Sequence, residues 1–429
     1  MKLISTAEAF KKSGKVTLGG WVDELKILGG LKFIWLRDKT GKIQVTVNKK
    51  TSNKEVFNAV DTLTKESVIL VTGIIKNVPQ APGGKEISPE KIELVNKAEQ
   101  PVPLDISGHA NSGLDARLDW RFLDLRKPEQ QAIFRIQSVM SNAFRQHFYN
   151  KGFTEIQPPC VIAAASEGGA ELFPVIYFDK EAFLAQSPQL YKQMVLASGF
   201  DKVFMTTPVW RAEPHATPRH LNEARQYDIE VAWANDTEAL DYLEEVLIHI
   251  IKTVKKECKN ELKLLKRDLK VPKAVRITYT EALKQLANEG ITIEWGQDLT
   301  PEAERMLCKV HGEENFVFIQ EWPTNVRAFY SMPKEGNENV CLAYDALYGG
   351  MELLSGATRV HKVDILEKQL RAKGLDPAKF KFYLDAFRYG CPPHSGWSFG
   401  LERLTMTVLG LSNIREGTLF ARDQNRLTP

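Results

Sequence analysis

Residues 15–23, 31–37, 42–47, 67–75 and 87–95 are strand-like, β-prone stretches bounded by polar turns. Asp38-Lys39-Thr40-Gly41 is a turn between the second and the third, and Gly73 inside the fourth marks a bulge or a barrel bend. With one helical segment near residues 53–63, the set predicts a small barrel of the oligonucleotide-binding type, although another small β barrel fits the same pattern. Pro101, Pro103, Gly108 and Gly113 stand in a polar stretch and predict a hinge. From residue 130 the period is helical. Ile133, Ile136, Val139, Met140, Ala143, Phe144 and Phe148 form one stripe of a helix over 130–149, which Gly152 ends. A short strand over 153–156 and Pro158-Pro159 follow. Residues 203–210 and 227–233 are strand-like again and flank a polar loop with Pro214 and Pro218, which predicts a long antiparallel hairpin. In its second arm Asp228 and Glu230 face one way, Ile229 and Val231 the other. Asp236 is placed to cap the next helix, whose stripe is Leu240, Leu243, Leu247, Ile250, Ile251 and Val254. Lys252, Lys255, Lys256, Lys259, Lys263 and Lys266 read as a solvated face, with contact to a polynucleotide backbone as the other reading. Residues 270–335 give weaker signals and no evident chemistry. The expected organisation is a barrel over 1–102, a hinge over 103–129 and a second domain over 130–429.

Composition adds little beyond class. A chain of 429 residues, 43% hydrophobic and 26% charged, is that of a globular protein of two or three domains. A net charge of +3 makes no general basic field, so a nucleic acid would be held by local patches. No apolar run approaches the ~20 residues a membrane helix needs, and Met1-Lys2-Leu3-Ile4-Ser5 opens no apolar signal region. A cytoplasmic protein with no membrane partner is expected. Cys160, Cys258, Cys308, Cys341 and Cys391 are dispersed and read as reduced thiols, and the histidines lack zinc-ligand spacing.

The chemistry-bearing stretches lie in the second domain. Arg211, Glu213, Arg219 and His220 fall near the tip of the predicted hairpin. Two arginines beside acids suit a polyphosphate with bound metal, because guanidinium is a planar fork that stays charged. A salt-bridged surface hairpin is the other reading. Ser166-Glu167-Gly168-Gly169 is a glycine-rich stretch that either closes on a ligand or is a surface turn. Asp345 and Glu352, seven apart with glycines between, are oxygen donors of the kind that suits Mg²⁺ shared with phosphate.

Three stretches carry a resemblance. Trp210-Arg211-Ala212-Glu213, Arg219-His220-Leu221-Asn222-Glu223 and Asp228-Ile229-Glu230 resemble the second signature motif of class II aminoacyl-tRNA synthetases. Gly396-Trp397-Ser398-Phe399-Gly400-Leu401-Glu402-Arg403 resembles the third, and the helix, strand and Pro159 resemble the first, which makes a dimer interface. Gln186-Ser187-Pro188-Gln189-Leu190-Tyr191-Lys192-Gln193 is similar to the amino-acid pocket of the aspartyl members, in their short, archaeal-type form. The resemblance implies an α+β chain: a five-stranded OB-fold barrel that binds the anticodon, and a class II catalytic domain with a central antiparallel sheet flanked by helices. It implies ATP as substrate and Mg²⁺ as metal. Arg211, Glu213, Arg219, His220, Leu221, Glu352, Gly400 and Arg403 would bind ATP, with Arg211 and Arg403 on the reacting phosphates. Asp345 and Glu352 would hold the metal. Glu167, Gln189, Lys192, Asp228, Ser355 and Arg359 would bind L-aspartate, with Lys192 and Arg359 facing its side-chain carboxylate. Phe33, Gln44 and Glu86 would read the anticodon, Phe33 being otherwise plain core. An asparagine-activating relative, whether an asparaginyl-tRNA synthetase or an asparagine synthetase, is the alternative.

Several positions depart from that pattern. Ala224-Arg225 stand where an aromatic ring for adenine is usual, and Arg225 is expected to stack through its guanidinium plane. Leu347, Gly349 and Ala421 replace other residues of the family. Enzymes of this type restricted to the aspartate tRNA carry Trp where Asp23 stands and Lys where Pro82 stands. Their replacement implies that tRNA(Asp) and tRNA(Asn) are both accepted, with an amidotransferase as further partner.

Overall fold

The computed structural model describes residues 2–108, 110, 112–163, 172–214 and 216–429. The chain divides into two compact units, Met1–Gln130 and Gln131–Pro429.

The first unit is built on a closed barrel of five strands, Gly14–Leu28, Leu31–Asp38, Gly41–Asn48, Val68–Asn77 and Lys85–Asn96. Alternate residues point inward, so Val16, Leu18, Val22, Ile34, Leu36, Ile43, Val45, Val47, Ile69 and Val71 fill the barrel. Gly73 sits at a register shift, where a Cβ would fall 2.3 Å from the Ser88 carbonyl oxygen. The bulge read from the sequence is thus a place where only glycine fits. Another shift follows Val22, beside Asp23. There Arg37 donates to Asp23 at 2.6 Å and to both Glu66 oxygens at 2.9 and 2.7 Å, a buried cluster completed at its edge by Lys42.

The second unit is organised by a nine-stranded sheet. Its central strands run in the order Asn337–Tyr348, Met351–Thr358, His394–Gly400, Glu223–Ala232, Lys202–Trp210, each antiparallel to the next. The helix Pro128–Asn150 lays Ile136, Met140, Phe144 and Phe148 against Phe204, Tyr227, Trp397 and Phe399 of that sheet. The aromatic rings meet largely edge to face, with Phe144 4.8 Å from Tyr227 and 5.6 Å from Phe399 between centroids. The helix Asp236–Glu257 packs its predicted stripe into the same core. Its N-cap is Asn235, not Asp236. The Asn235 side chain accepts from the Glu238 amide and Glu238 returns the bond, each at 3.0 Å. Asp236 is the first helical residue and instead accepts from Gln320. The hairpin's second arm begins at Glu223, four residues before the stretch expected from alternation. No helix among the described residues is long and apolar enough to cross a membrane.

Candidate active site

Strand register assembles one row of side chains across four strands. Asp228 is opposite Ser398, Ser398 opposite Ser355, and Ser355 opposite Asp345. Ser398 and Ser355 of this row line a cleft of about 330 Å³. Arg211, Glu213, Arg219, His220 and Leu221 line this cleft from the hairpin, Gln189 from the start of the helix Gln189–Ala197, Glu352, Ser355 and Arg359 from the sheet, and Gly400 and Arg403 from the third motif. Eleven of the residues predicted from sequence therefore share one wall. Glu167 lies outside the described residues.

Lys192, Asp228 and Asp345 are buried and do not line the cleft, whereas Lys192 was expected to face the substrate's side-chain carboxylate there. Its ammonium lies 2.9 Å from Asp228 Oδ1 and 3.2 Å from Glu230 Oε2, and is fully buried. Arg359 does reach the cleft, and its guanidinium is gripped by Glu230 at 2.9 Å and by the Gly396 carbonyl at 2.8 Å. Gly396 makes this approach possible, since a Cβ there would lie 2.2 Å from Glu230 Oε2. Two cations and two carboxylates thus form a closed buried lattice. Burial opposes ionisation of Glu230, but Arg359 and Lys192 outweigh it and hold the carboxyl below its ordinary range. For Asp228 burial wins over Lys192 and the shift is upward. Ser398 donates to the other Asp228 oxygen at 3.1 Å. Gln193, next to Lys192 in the chain, bonds His394 at 2.9 Å, whose imidazole burial pushes down to about 4.

The arginines differ in their freedom. Arg211 makes no side-chain hydrogen bond or ion pair with the described residues, and its backbone is pinned by a reciprocal pair of bonds with Asn222. Arg403 donates to the Glu352 carbonyl at 3.1 Å. Arg219 is held by Glu304 at 3.1 Å. His220 is lowered from its usual value by burial and by Arg403, and its Nδ1 meets Thr217 Oγ1 at 2.6 Å. Asp345 is 2% exposed. Its carboxyl is pushed up to about 7 by burial, against the pull of Arg327 and with a further push from Glu352. Among the described residues no group of three or more His, Cys, Asp or Glu is arranged to hold a metal alone.

Sequence reading missed Glu304 and Arg327, both from the stretch thought to carry no chemistry. Glu304 binds Arg219 and accepts from the Glu352 amide at 3.2 Å. Arg327 pairs with Asp345 and lines the cleft. Neither sits in a motif: Glu304 is one acid of the helix Pro301–His311 and Arg327 one cation after a buried strand, signals too common to single out. Arg225 is corrected as well. Alternation along the strand sends Ala224 and Gln226 into the cleft, while Arg225 is exposed on the other side and pairs with Glu223 at 2.9 Å. Leu347 is buried core, and Ala421 packs behind Leu221.

On the barrel, Phe33 is half-buried and outside the core, so it is not plain core. It pairs with Thr46, and its neighbour Trp35 pairs with Gln44. Gln44 and Thr46 both donate to Glu86 Oε2, at 3.0 and 2.6 Å. Pro82 is exposed at the start of the turn Pro82–Gly84.

Two family profiles match the chain. That of the class II tRNA synthetases (D, K and N) covers residues 113–424, and that of the OB-fold nucleic acid binding domain covers residues 16–95. The chain is 49% identical over 418 residues to the aspartate–tRNA(Asp/Asn) ligase of Methanopyrus kandleri, covering 97% of this chain and 96% of that one. It is 47% identical over 421 residues to the aspartate–tRNA(Asp) ligase of Pyrococcus furiosus, with the same coverage. Its structure resembles that of asparaginyl-tRNA synthetase from Pyrococcus horikoshii complexed with asparaginyl-adenylate, with a TM-score of 0.93, 34% identity and full coverage of both chains.

Proposed function

Because this chain belongs to the class II tRNA synthetases of the aspartate, lysine and asparagine group, we propose that the cleft is the active site of an aspartate–tRNA ligase. The amino-acid carboxylate attacks the α-phosphorus of ATP, pyrophosphate leaves, and aspartyl-adenylate forms. A hydroxyl of the terminal ribose of tRNA then attacks the adenylate carbonyl, giving aspartyl-tRNA and AMP. Such chemistry asks for positioning and charge stabilisation rather than a protein nucleophile.

The observation that carries the aspartate reading is Arg359, a cleft-wall guanidinium backed by the buried Glu230–Lys192–Asp228 lattice. A substrate carboxylate supplies the acceptor that Arg359 can take from the cleft side, and an amide supplies a weaker one. Gln189 and Ser355 are further cleft-lining polar groups for the amino acid, with Asp228 set behind them and held by Lys192 and Ser398. Arg211 and Arg403 would neutralise the α- and γ-phosphates, with Glu213, Arg219, His220, Leu221 and Gly400 shaping the nucleotide's seat. Asp345 and Glu352 fit a hard cation: both are oxygen donors, and Asp345 Oδ1 is buried with no hydrogen-bond partner. When bound there, Mg²⁺ would offset phosphate charge. Phosphate oxygens would supply further ligands.

Around that core we place a barrel over 1–102 that reads the anticodon with Phe33, Gln44 and Glu86, a hinge over 103–129 and a catalytic domain over 130–429. The enzyme works in the cytoplasm as a homodimer through the helix Pro128–Asn150 and the Pro159 segment. It charges both tRNA(Asp) and tRNA(Asn), so that an amidotransferase finishes the second product. Relatives of similar identity are named for one tRNA and for both, so overall likeness does not decide this point. Asp23 and Pro82 favour relaxed choice.

The test is ATP–pyrophosphate exchange with each of the twenty amino acids. Exchange driven by aspartate alone is expected. Exchange driven by asparagine would move the chain to the asparagine-activating branch.

A further inference from the structure

Arg327 holds a place that the proposed reaction leaves unexplained. It follows the strand Phe316–Pro323 and the single turn Thr324–Val326, and its guanidinium enters the cleft. There it pairs with Asp345 Oδ2 and reaches Ser355 Oγ at 3.4 Å. The guanidinium carbon lies 3.7 Å from the centroid of the Trp322 ring. That ring is a fixed plate, 1% exposed, with its indole N–H donated to the Ile319 carbonyl at 3.0 Å. Arg327 Nε is buried with no acceptor. The cation is therefore held by one carboxylate, one aromatic face and a long bond to Ser355, and that carboxylate is one of the two assigned above to Mg²⁺.

Resting on that assignment of Asp345 and Glu352, we propose that Arg327 is a built-in counter-cation of the magnesium subsite, which releases Asp345 when the metal arrives. A buried carboxylate without a cation is costly, so a subsite that must wait for its metal gains from an internal substitute. Two cations at one carboxylate repel, so Arg327 and the metal compete for Asp345. Trp322 gives the displaced guanidinium a surface on which to stay, since the attraction of a cation to a ring face needs no carboxylate. Metal affinity then includes the cost of breaking the Arg327–Asp345 pair.

The competition is measured with Mn²⁺ alone, without ATP, aspartate or tRNA, by the paramagnetic resonance of free Mn²⁺ over the full-length protein. Arg327→Met is expected to bind Mn²⁺ at least tenfold more tightly than wild type, and Arg327→Lys to fall between. Arg327→Met should also melt lower than wild type in metal-free buffer, with much of the deficit removed by saturating Mn²⁺. Equal or weaker Mn²⁺ binding by Arg327→Met, or a melting deficit that Mn²⁺ leaves unchanged, would overturn the proposal. Should that variant fail to fold, wild-type crystals soaked in MnCl₂ decide. An anomalous peak between Asp345 and Glu352 with the guanidinium moved off Oδ2 supports it, and a peak there with Arg327 still in place defeats it. A peak elsewhere removes both the subsite and the counter-cation while leaving the ligase reading, which pyrophosphate exchange tests separately.

Discussion

Lys192 and Arg359 are each worth more to the site as members of a lattice than as separate charges. Removing Lys192 leaves Asp228 buried without its cation, and removing Arg359 leaves Glu230 with Lys192 alone, a loss of about 3–5 kcal/mol for a broken buried pair. Lys192→Met and Arg359→Leu are therefore each expected to abolish aspartate-dependent pyrophosphate exchange while calorimetry still detects ATP, whose assigned contacts lie elsewhere on the wall. Near wild-type exchange by either variant would show that the pocket is wrongly placed. Glu402 makes a pH prediction at the same scale. It is 5% exposed, accepts from the Arg225 amide at 3.0 Å, and is pushed by burial from 4.5 up to about 7. Between those values the folded state keeps a proton that the unfolded state has shed. This contribution to stability is thus complete below pH 4.5, is lost as pH rises to about 7, and is constant above. At about 1.4 kcal/mol per pH unit the loss amounts to roughly 3 kcal/mol. Urea midpoints of Glu402→Gln and wild type across that range should diverge accordingly, and parallel curves would show that Glu402 titrates normally.

Strand alternation decides what the hairpin offers the nucleotide. Ala224 faces the cleft and Arg225 faces away, so Arg225→Ala is expected to leave the KM for ATP within about twofold, a change well under 1 kcal/mol. A tenfold rise in KM would return Arg225 to the cleft. This assignment was within reach of the sequence, because Asp228 and Glu230 were already read as sharing a face and Ala224 has the same parity. Much of the architecture was legible for a similar reason. Barrel strands, the helix over 130–149 and the hairpin all carry periods that one buried face imposes. The Asn235 cap was misread by one residue, since Asn and Asp are both good caps and only the reciprocal bond with Glu238 separates them. The floor of the cleft was less legible. The row Asp228–Ser398–Ser355–Asp345 depends on register between strands far apart in the chain, which no local pattern encodes. Arg327 and Glu304 were invisible because their meaning comes from Asp345 and Arg219, brought to them only by folding.

For the whole molecule the first question is how many copies act together. If the helix Pro128–Asn150 and the Pro159 segment form the interface, sedimentation at micromolar concentration should give a dimer, and a fully active monomer would refute it. The second question is which tRNAs the enzyme serves. The two anticodons differ only at their third base, so rejection of one needs a group that the wrong base leaves unpaired. The barrel presents aromatic surface at Phe33 and Trp35 and a carboxylate at Glu86 already engaged by Gln44 and Thr46. At the two positions that mark restricted enzymes of this type it presents nothing of the kind. Asp23 is 6% exposed, and both its oxygens are taken by Arg37 and Lys42. Pro82 is exposed but has neither a side-chain donor nor a backbone N–H. Comparable kcat/KM for the two tRNA transcripts at one salt concentration is therefore expected. A preference for the aspartate tRNA beyond ~100-fold, or about 2.7 kcal/mol, would show that other residues restore discrimination. Substitution then gives the direction. Pro82→Lys restores a charged donor on an exposed turn, and it should shift the ratio toward the aspartate tRNA without altering aspartate-dependent pyrophosphate exchange, which needs no anticodon.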